Sequence, residues 1–123
     1  MIIKDIQQHI ISEGIENILR SEAPLNVEDI VWIVESPSPP PNPSIGYYEA
    51  NLDFWARYAV TQDARDVLES IFDLLHRKVS WETTNHHIYL SASNSLIEDF
   101  DRDIEDRKLL RLSMRFIYRD KNE

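Results

Sequence analysis

The chain of 123 residues has no cysteine, only two glycines, and 13 basic against 22 acidic side chains. Without cysteine there is no disulfide framework, no zinc-thiolate site and no cysteine nucleophile, which suits folding in a reducing cytoplasm. With glycine confined to Gly14 and Gly46, no phosphate-cradling loop is available and no serine has the flanking glycines of a nucleophile elbow. Long apolar runs are also missing. MIIKDIQQHII at the N-terminus is broken by charge and glutamine, so neither a signal peptide nor a membrane span is expected. The formal net charge of −9 repels phosphate backbones and argues against nucleic-acid binding as the main task. A single domain, residues 1–123, is expected, able to bury roughly 65% of the surface its unfolded form exposes.

What is present is apolar patterning. Ile3, Ile6, Ile10, Gly14, Ile15 and Ile18 fall near one side of a helix over residues 3–20, with Gly14 either allowing close approach to a sheet or simply tolerated there. DIVWIVES (29–36) is β-branched and apolar on both faces, a buried strand. Tyr48, Ala50, Leu52, Phe54, Ala56, Tyr58 and Val60 alternate through a long half-buried strand from Tyr47 to Val60. Thr61 is placed to cap a helix over 62–78, whose apolar arc holds Ala64, Val67, Leu68, Ile71, Phe72, Leu74 and Leu75. HHIYLSA (86–92) and LLRLSMRFIYR (109–119) read as two further strands. The expected fold is α+β: a four-stranded, mainly antiparallel sheet with two helices on one face, in the order α-β-β-α-β-β.

Two segments interrupt this pattern. A proline-rich loop at 36–45, including Pro39, Pro40 and Pro41, favours an extended polyproline conformation and is expected to project stiffly. An acidic loop at 98–108 carries Asp99, Asp101, Asp103, Glu105 and Asp106. Its first three aspartates have the spacing of a calcium loop. Counting from Asp99, however, the sixth position is Ile104 where a sharp turn needs glycine, and the twelfth is Leu110 where a bidentate glutamate is needed. Arg102, Arg107 and Lys108 lie among the acids, so the stretch reads as solvated and self-neutralised instead of as a pair of tuned carboxylates. His86 and His87 point to opposite sides of a strand and cannot converge on one ion. No catalytic residue, metal ligand or cofactor is assigned.

Arg111, Arg115 and Arg119 share one side of the last strand and are placed to pair with Glu49 and Asp53 if the two long strands are neighbours. The same outward side carries Tyr47, Trp55, Leu109 and Ile117, which is apolar for a surface that meets only water. Tyr47, Trp55, Arg111 and Arg115 are therefore candidate interface residues.

YYEANLDFWARY, IFDLLHRK, HIYLSAS and IEDFDRDIEDRKLLRLSMRFIYR together resemble the minor capsid and tail-terminator proteins of tailed bacteriophages and prophages of Gram-positive bacteria, over about Tyr47 to Arg119. The resemblance implies a non-enzymatic virion subunit at the head–tail joint. It would assemble into a homo-oligomeric ring, commonly a hexamer, that caps the tail tube and meets the head completion or connector protein while DNA passes through without specific binding. In that setting the proline segment reads as a docking arm, and the acidic loop as a face of the lumen or of a ring-to-ring contact. A monomeric adaptor for a phage or host protein is the alternative from the residues alone, and a small metal-dependent enzyme a more distant one.

Overall fold

The computed structural model describes residues 2–15, 18–20, 29–36, 47–102 and 108–121, the side chains of residues 101 and 102 excepted. Helix α1 spans Ile2–Ser12 and α2 spans Thr61–Leu75. The strands are β1 (Ile18–Arg20), β2 (Ile30–Ser36), β3 (Tyr48–Tyr58), β4 (Lys78–Glu82), β5 (His86–Ser93), β6 (Glu98–Arg102) and β7 (Lys108–Asp120). They form one seven-stranded sheet in the order β1-β2-β3-β7-β5-β4, with β6 also paired to β7. The sheet is mixed, because β1 runs parallel to β2 while every other pairing is antiparallel.

The expected four-stranded sheet in α-β-β-α-β-β order is therefore corrected to seven strands, and each missed strand has a local cause. The first helix stops at Ser12, not at residue 20, because Gly14 takes a left-handed φ of +100°. Gly14 N–H bonds the carbonyl of Ile11 at 3.0 Å and Ile15 N–H that of Ile10 at 3.2 Å, the double closure of a Schellman turn. Nothing lies within 4 Å of a β-carbon placed on Gly14, so its role is the turn and not close packing on a sheet. Ile18, thought to belong to the helix, is instead buried in β1.

The second correction lies at the other end of α2. Its N-cap is Val60, without a side-chain cap bond, so Thr61 is the first helical residue instead of the cap. The helix ends at Leu75, with His76 closing onto Phe72 at 2.7 Å, and Arg77 turns the chain with φ 56°. Lys78 thus opens β4, which places Trp81 at the edge of the sheet yet buried against α1, its ring 4.6 Å from that of His9. The third correction is β6. Glu98–Arg102, read from sequence as the start of the acidic loop, pairs with the beginning of β7. With β5 it forms one interrupted strand along the same edge of β7.

Both helices serve a single core. The register sets Val31 opposite Ala56 and Ala56 opposite Leu110, Ile33 opposite Phe54 and Phe54 opposite Leu112, and Leu52 opposite Met114. All of these lie on one side of the sheet, fully or nearly fully buried, in one cluster with Ile6 and Ile10 of α1 and Leu68, Ile71 and Leu75 of α2. Apart from Ala56, each such side chain contributes about 1.5–3 kcal/mol by leaving water. Neither helix covers the opposite face.

Candidate assembly surface

The uncovered face is built row by row from the antiparallel register. Trp32 of β2 stands opposite Trp55 of β3, Trp55 opposite Arg111 of β7, and Arg111 opposite Glu98 of β6. Because side chains alternate along a strand, all four emerge on the side away from the helices. The indoles of Trp32 and Trp55 stack at 6.1 Å with 11° between planes, and Phe100 closes on Trp55 at 5.2 Å. Guanidinium groups flank the rings: Arg57 lies 5.6 Å from Trp32, while Arg111 lies 5.3 Å from Trp55 and 4.8 Å from Phe100. Arg111 also bonds Glu98 at 2.8 Å. Each cation–ring contact of this kind is worth about 0.5–2 kcal/mol, depending on how dry it is.

Further along the face Ser113 donates to Asp53 at 2.6 Å, and Arg115 pairs with Glu49 across the β3–β7 ladder. Of the cross-strand pairs expected from sequence, Arg115–Glu49 is thus formed. Arg111 takes Glu98 instead, and Asp53 takes a hydroxyl. Tyr47 meets Tyr89 edge-on at 6.5 Å, beside His87 at 5.0 Å from the Tyr89 ring. Tyr89 projects because the β5–β7 register shifts between Ile88 and Leu90.

The structure brings Trp55, Arg111 and Arg115 together on this face, and Tyr47 stands farther along it. Asp99 is separate from them, ion-paired with Lys108 at 2.7 Å. Asp101 lies on β6 with its side chain outside the described residues, and Asp103, Glu105, Asp106, Pro39, Pro40 and Pro41 lie outside them altogether. Sequence reasoning left Trp32 and Phe100 out of the patch. β2 is apolar on both faces, so its residues show no period to say which side Trp32 takes, and Phe100 carried no signal while β6 was read as loop.

A second polar cluster lies on the helix side. His86 Nδ1 meets Asp5 at 2.7 Å and its Nε2 meets Asp120 at 2.9 Å. Asp5 also accepts from the Thr83 hydroxyl at 2.7 Å and from the backbone and side chain of Asn85 at 2.9 and 3.1 Å. Burial alone would raise the Asp5 carboxyl. The hydrogen bonds from Thr83, His86 and Asn85 outweigh it and hold the group at about 2. The cluster ties α1 to the start of β5 and the end of β7, a structural clasp. Among the described residues no group of three or more histidine, aspartate or glutamate side chains is arranged to hold a metal ion. A groove of about 300 Å³ between α2 and the β5–β6 turn is lined by Arg65, Glu69, Phe72, Leu96 and Ile97.

The described residues form a two-layer α/β unit, with both helices on one face of the sheet. The solved structures include one titled as the virion of a native gene transfer agent particle, in which a chain resembles this one with a TM-score of 0.69. The likeness covers 94% of this chain and 92% of that chain at 10% sequence identity, a similarity of fold. No curated protein sequence matches this chain. The family model for bacteriophage tail terminator proteins matches residues 9–120. The chain belongs to that family, and it is a structural subunit of the virion, in the tail.

Proposed function

We propose that copies of this chain close into a ring, a hexamer, that caps the tail tube, stops its growth and presents a surface to the head completion or connector protein. The observation that carries this reading is the row Trp32, Trp55, Arg111 and Glu98, flanked by Phe100, on the sheet face that neither helix covers. Stacked rings and guanidinium groups are the side chains that dominate protein–protein contacts. A closed ring needs two different complementary patches on every copy; this face supplies one of them, with Tyr47 and Arg115 toward its margin.

The work is mechanical and needs no bond-making chemistry, so the chain acts as a non-enzymatic part. Its net charge of −9, multiplied around a ring, lets DNA pass without adhering. The acidic stretch from Asp99 to Asp106 is assigned to the lumen or to a ring-to-ring contact. Changing Asp99, Asp101 and Asp103 together to asparagine should raise DNA retention by assembled rings, and unchanged retention would remove that assignment.

Electron microscopy of particles made without this chain tests the main reading. Overlong, uncapped tails are expected. Tails of normal length detached from filled heads would replace termination by joining, and normal particles would overturn both.

A further inference from the structure

Resting on the ring reading, we infer that the Trp32–Trp55–Phe100 ladder is a receptor for a polyproline segment, and that its occupant is residues Pro37–Pro43 of a neighbouring copy. Three features of the ladder match that ligand. The rings stand 6.1 and then 5.2 Å apart, so the row is at most about 11 Å long and receives two prolines one ~9 Å turn of a polyproline helix apart. Such a helix has three residues per turn, so Pro37, Pro40 and Pro43 fall on one side of it and present their rings in line. Stacked aromatic side chains are the platform on which proline rings dock, because the ligand is ordered before it binds.

The second feature is hydrogen bonding. Proline has no N–H, so a proline-rich segment offers mainly carbonyl acceptors. Among the described residues the indole N–H groups of Trp32 and Trp55 make no hydrogen bond, whereas that of Trp81 donates to Ser91 at 3.2 Å. The two outward indoles are thus the donors a carbonyl-rich ligand calls for. The third feature is charge. SPSPPPNPS, residues 36–44, carries none, and Arg111 beside the rings is already neutralised by Glu98.

Geometry argues that the ladder receives another copy's segment. Trp32 lies four positions before Ser36, the end of β2, which is ~13 Å back along the strand. Ser36 pairs with Asn51, so Tyr47 stands four positions, ~13 Å, beyond Ser36 and ~26 Å beyond Trp32 along the strands. A segment that ran back from Ser36 to its own Trp32 and returned to Tyr47 would have to cover ~39 Å, whereas eleven polyproline steps cover only ~34 Å. The ladder of one copy is thus beyond the reach of its own segment and open to a neighbour's, as a heterologous ring contact requires.

The test uses the full chain with residues 37–43 replaced by an equal length of glycine and serine, and the synthetic peptide SPSPPPNPS as probe. NMR follows the three indole N–H resonances. Saturable shifts at Trp32 and Trp55 with Trp81 unmoved are expected; no shift at millimolar peptide, or an equal shift of all three, overturns the proposal. Assembly is then read by native mass spectrometry. The loop-replaced chain and a Trp55→Ala chain should each associate at least tenfold more weakly than the unmodified chain, while their mixture should recover a one-to-one pair. Phe100→Ser, at a position 42% exposed, repeats the test should Trp55→Ala fail to fold. Undiminished assembly of the loop-replaced chain overturns the proposal and leaves the ring intact. Failure of the mixture to pair shows the segment acting within its own chain and overturns it too. Should the unmodified chain form no ring even on tail tubes, the ring reading falls alone, and the peptide titration still decides the docking.

Discussion

The carboxylate of Asp5, in the first turn of α1, sits 2.7 Å from Nδ1 of His86 at the start of β5, and both residues are almost wholly buried. The contact joins the first helix to a strand 81 positions away in sequence. With Thr83 and Asn85 added, it fixes how α1 lies on the sheet.

Asp5 therefore makes the fold acid-sensitive. Its carboxyl titrates at about 2 when folded, against an ordinary value of 3.8. The folded chain thus holds this proton less tightly than the unfolded one. The resulting stability, about 2 kcal/mol, is complete above the ordinary value and is lost as pH falls toward 2. Asp5→Asn should lower stability near pH 7 by about that amount and flatten the acid side of the profile. Urea unfolding of both chains at pH 3 and pH 7 checks this: an equal difference at the two pH values would mean that the charge of Asp5 contributes nothing.

His9 adds a second, milder dependence. Burial lowers its affinity for a proton, the neighbouring Lys78 lowers it further, and Glu13 opposes both. A histidine so placed favours the folded state while neutral, so its contribution is present above the ordinary value of 6.5 and declines as pH falls below it. His9→Gln should remove the loss of stability between pH 7 and pH 5 while leaving the Asp5 limb unchanged. Melting temperatures across that range measure it.

Gly14→Ala tests the turn that ends α1. Since nothing lies within 4 Å of the added methyl, any cost comes from the left-handed backbone alone, about 1–2 kcal/mol. Chemical denaturation should show that loss without a change in slope. A stabilised variant would mean that helix propensity outweighs the turn.

The long strands and α2 were legible because their signal is periodic: alternate apolar residues from Tyr48 to Tyr58, and an apolar arc centred on Leu68 and Ile71. What escaped was short and depended on partners. β1 has three residues and is a strand only because β2 lies beside it. β6 reads as a soluble acidic run, yet its Glu98 has Arg111 opposite and its Asp99 has Lys108 to pair with. Gly14 was read by its place on a helical wheel, where its φ decided the matter instead. The assembly surface was half visible for the same reason: Trp55 and Arg111 lie on strands with a clear period, whereas Phe100 joins them only through a pairing that local patterning does not encode. The Asp5–His86 clasp was invisible, since no local rule connects residues so far apart.

Arg111 separates the fold from its use. Its guanidinium lies over both Trp55 and Phe100 and bonds Glu98, so three strands meet through one planar cation. Lysine keeps the charge but not the flat surface that stacks on two rings. Arg111→Lys should therefore cost only about 1 kcal/mol of stability, in line with a partly exposed pair and its ring contacts. It should weaken association between copies more than it weakens the fold, because the ring positions it sets are the ones a neighbour meets. Thermal unfolding of the isolated chain and sedimentation over a concentration series give the two numbers. Equal losses in both would reduce Arg111 to a structural residue, and unchanged association would take the ladder out of the interface.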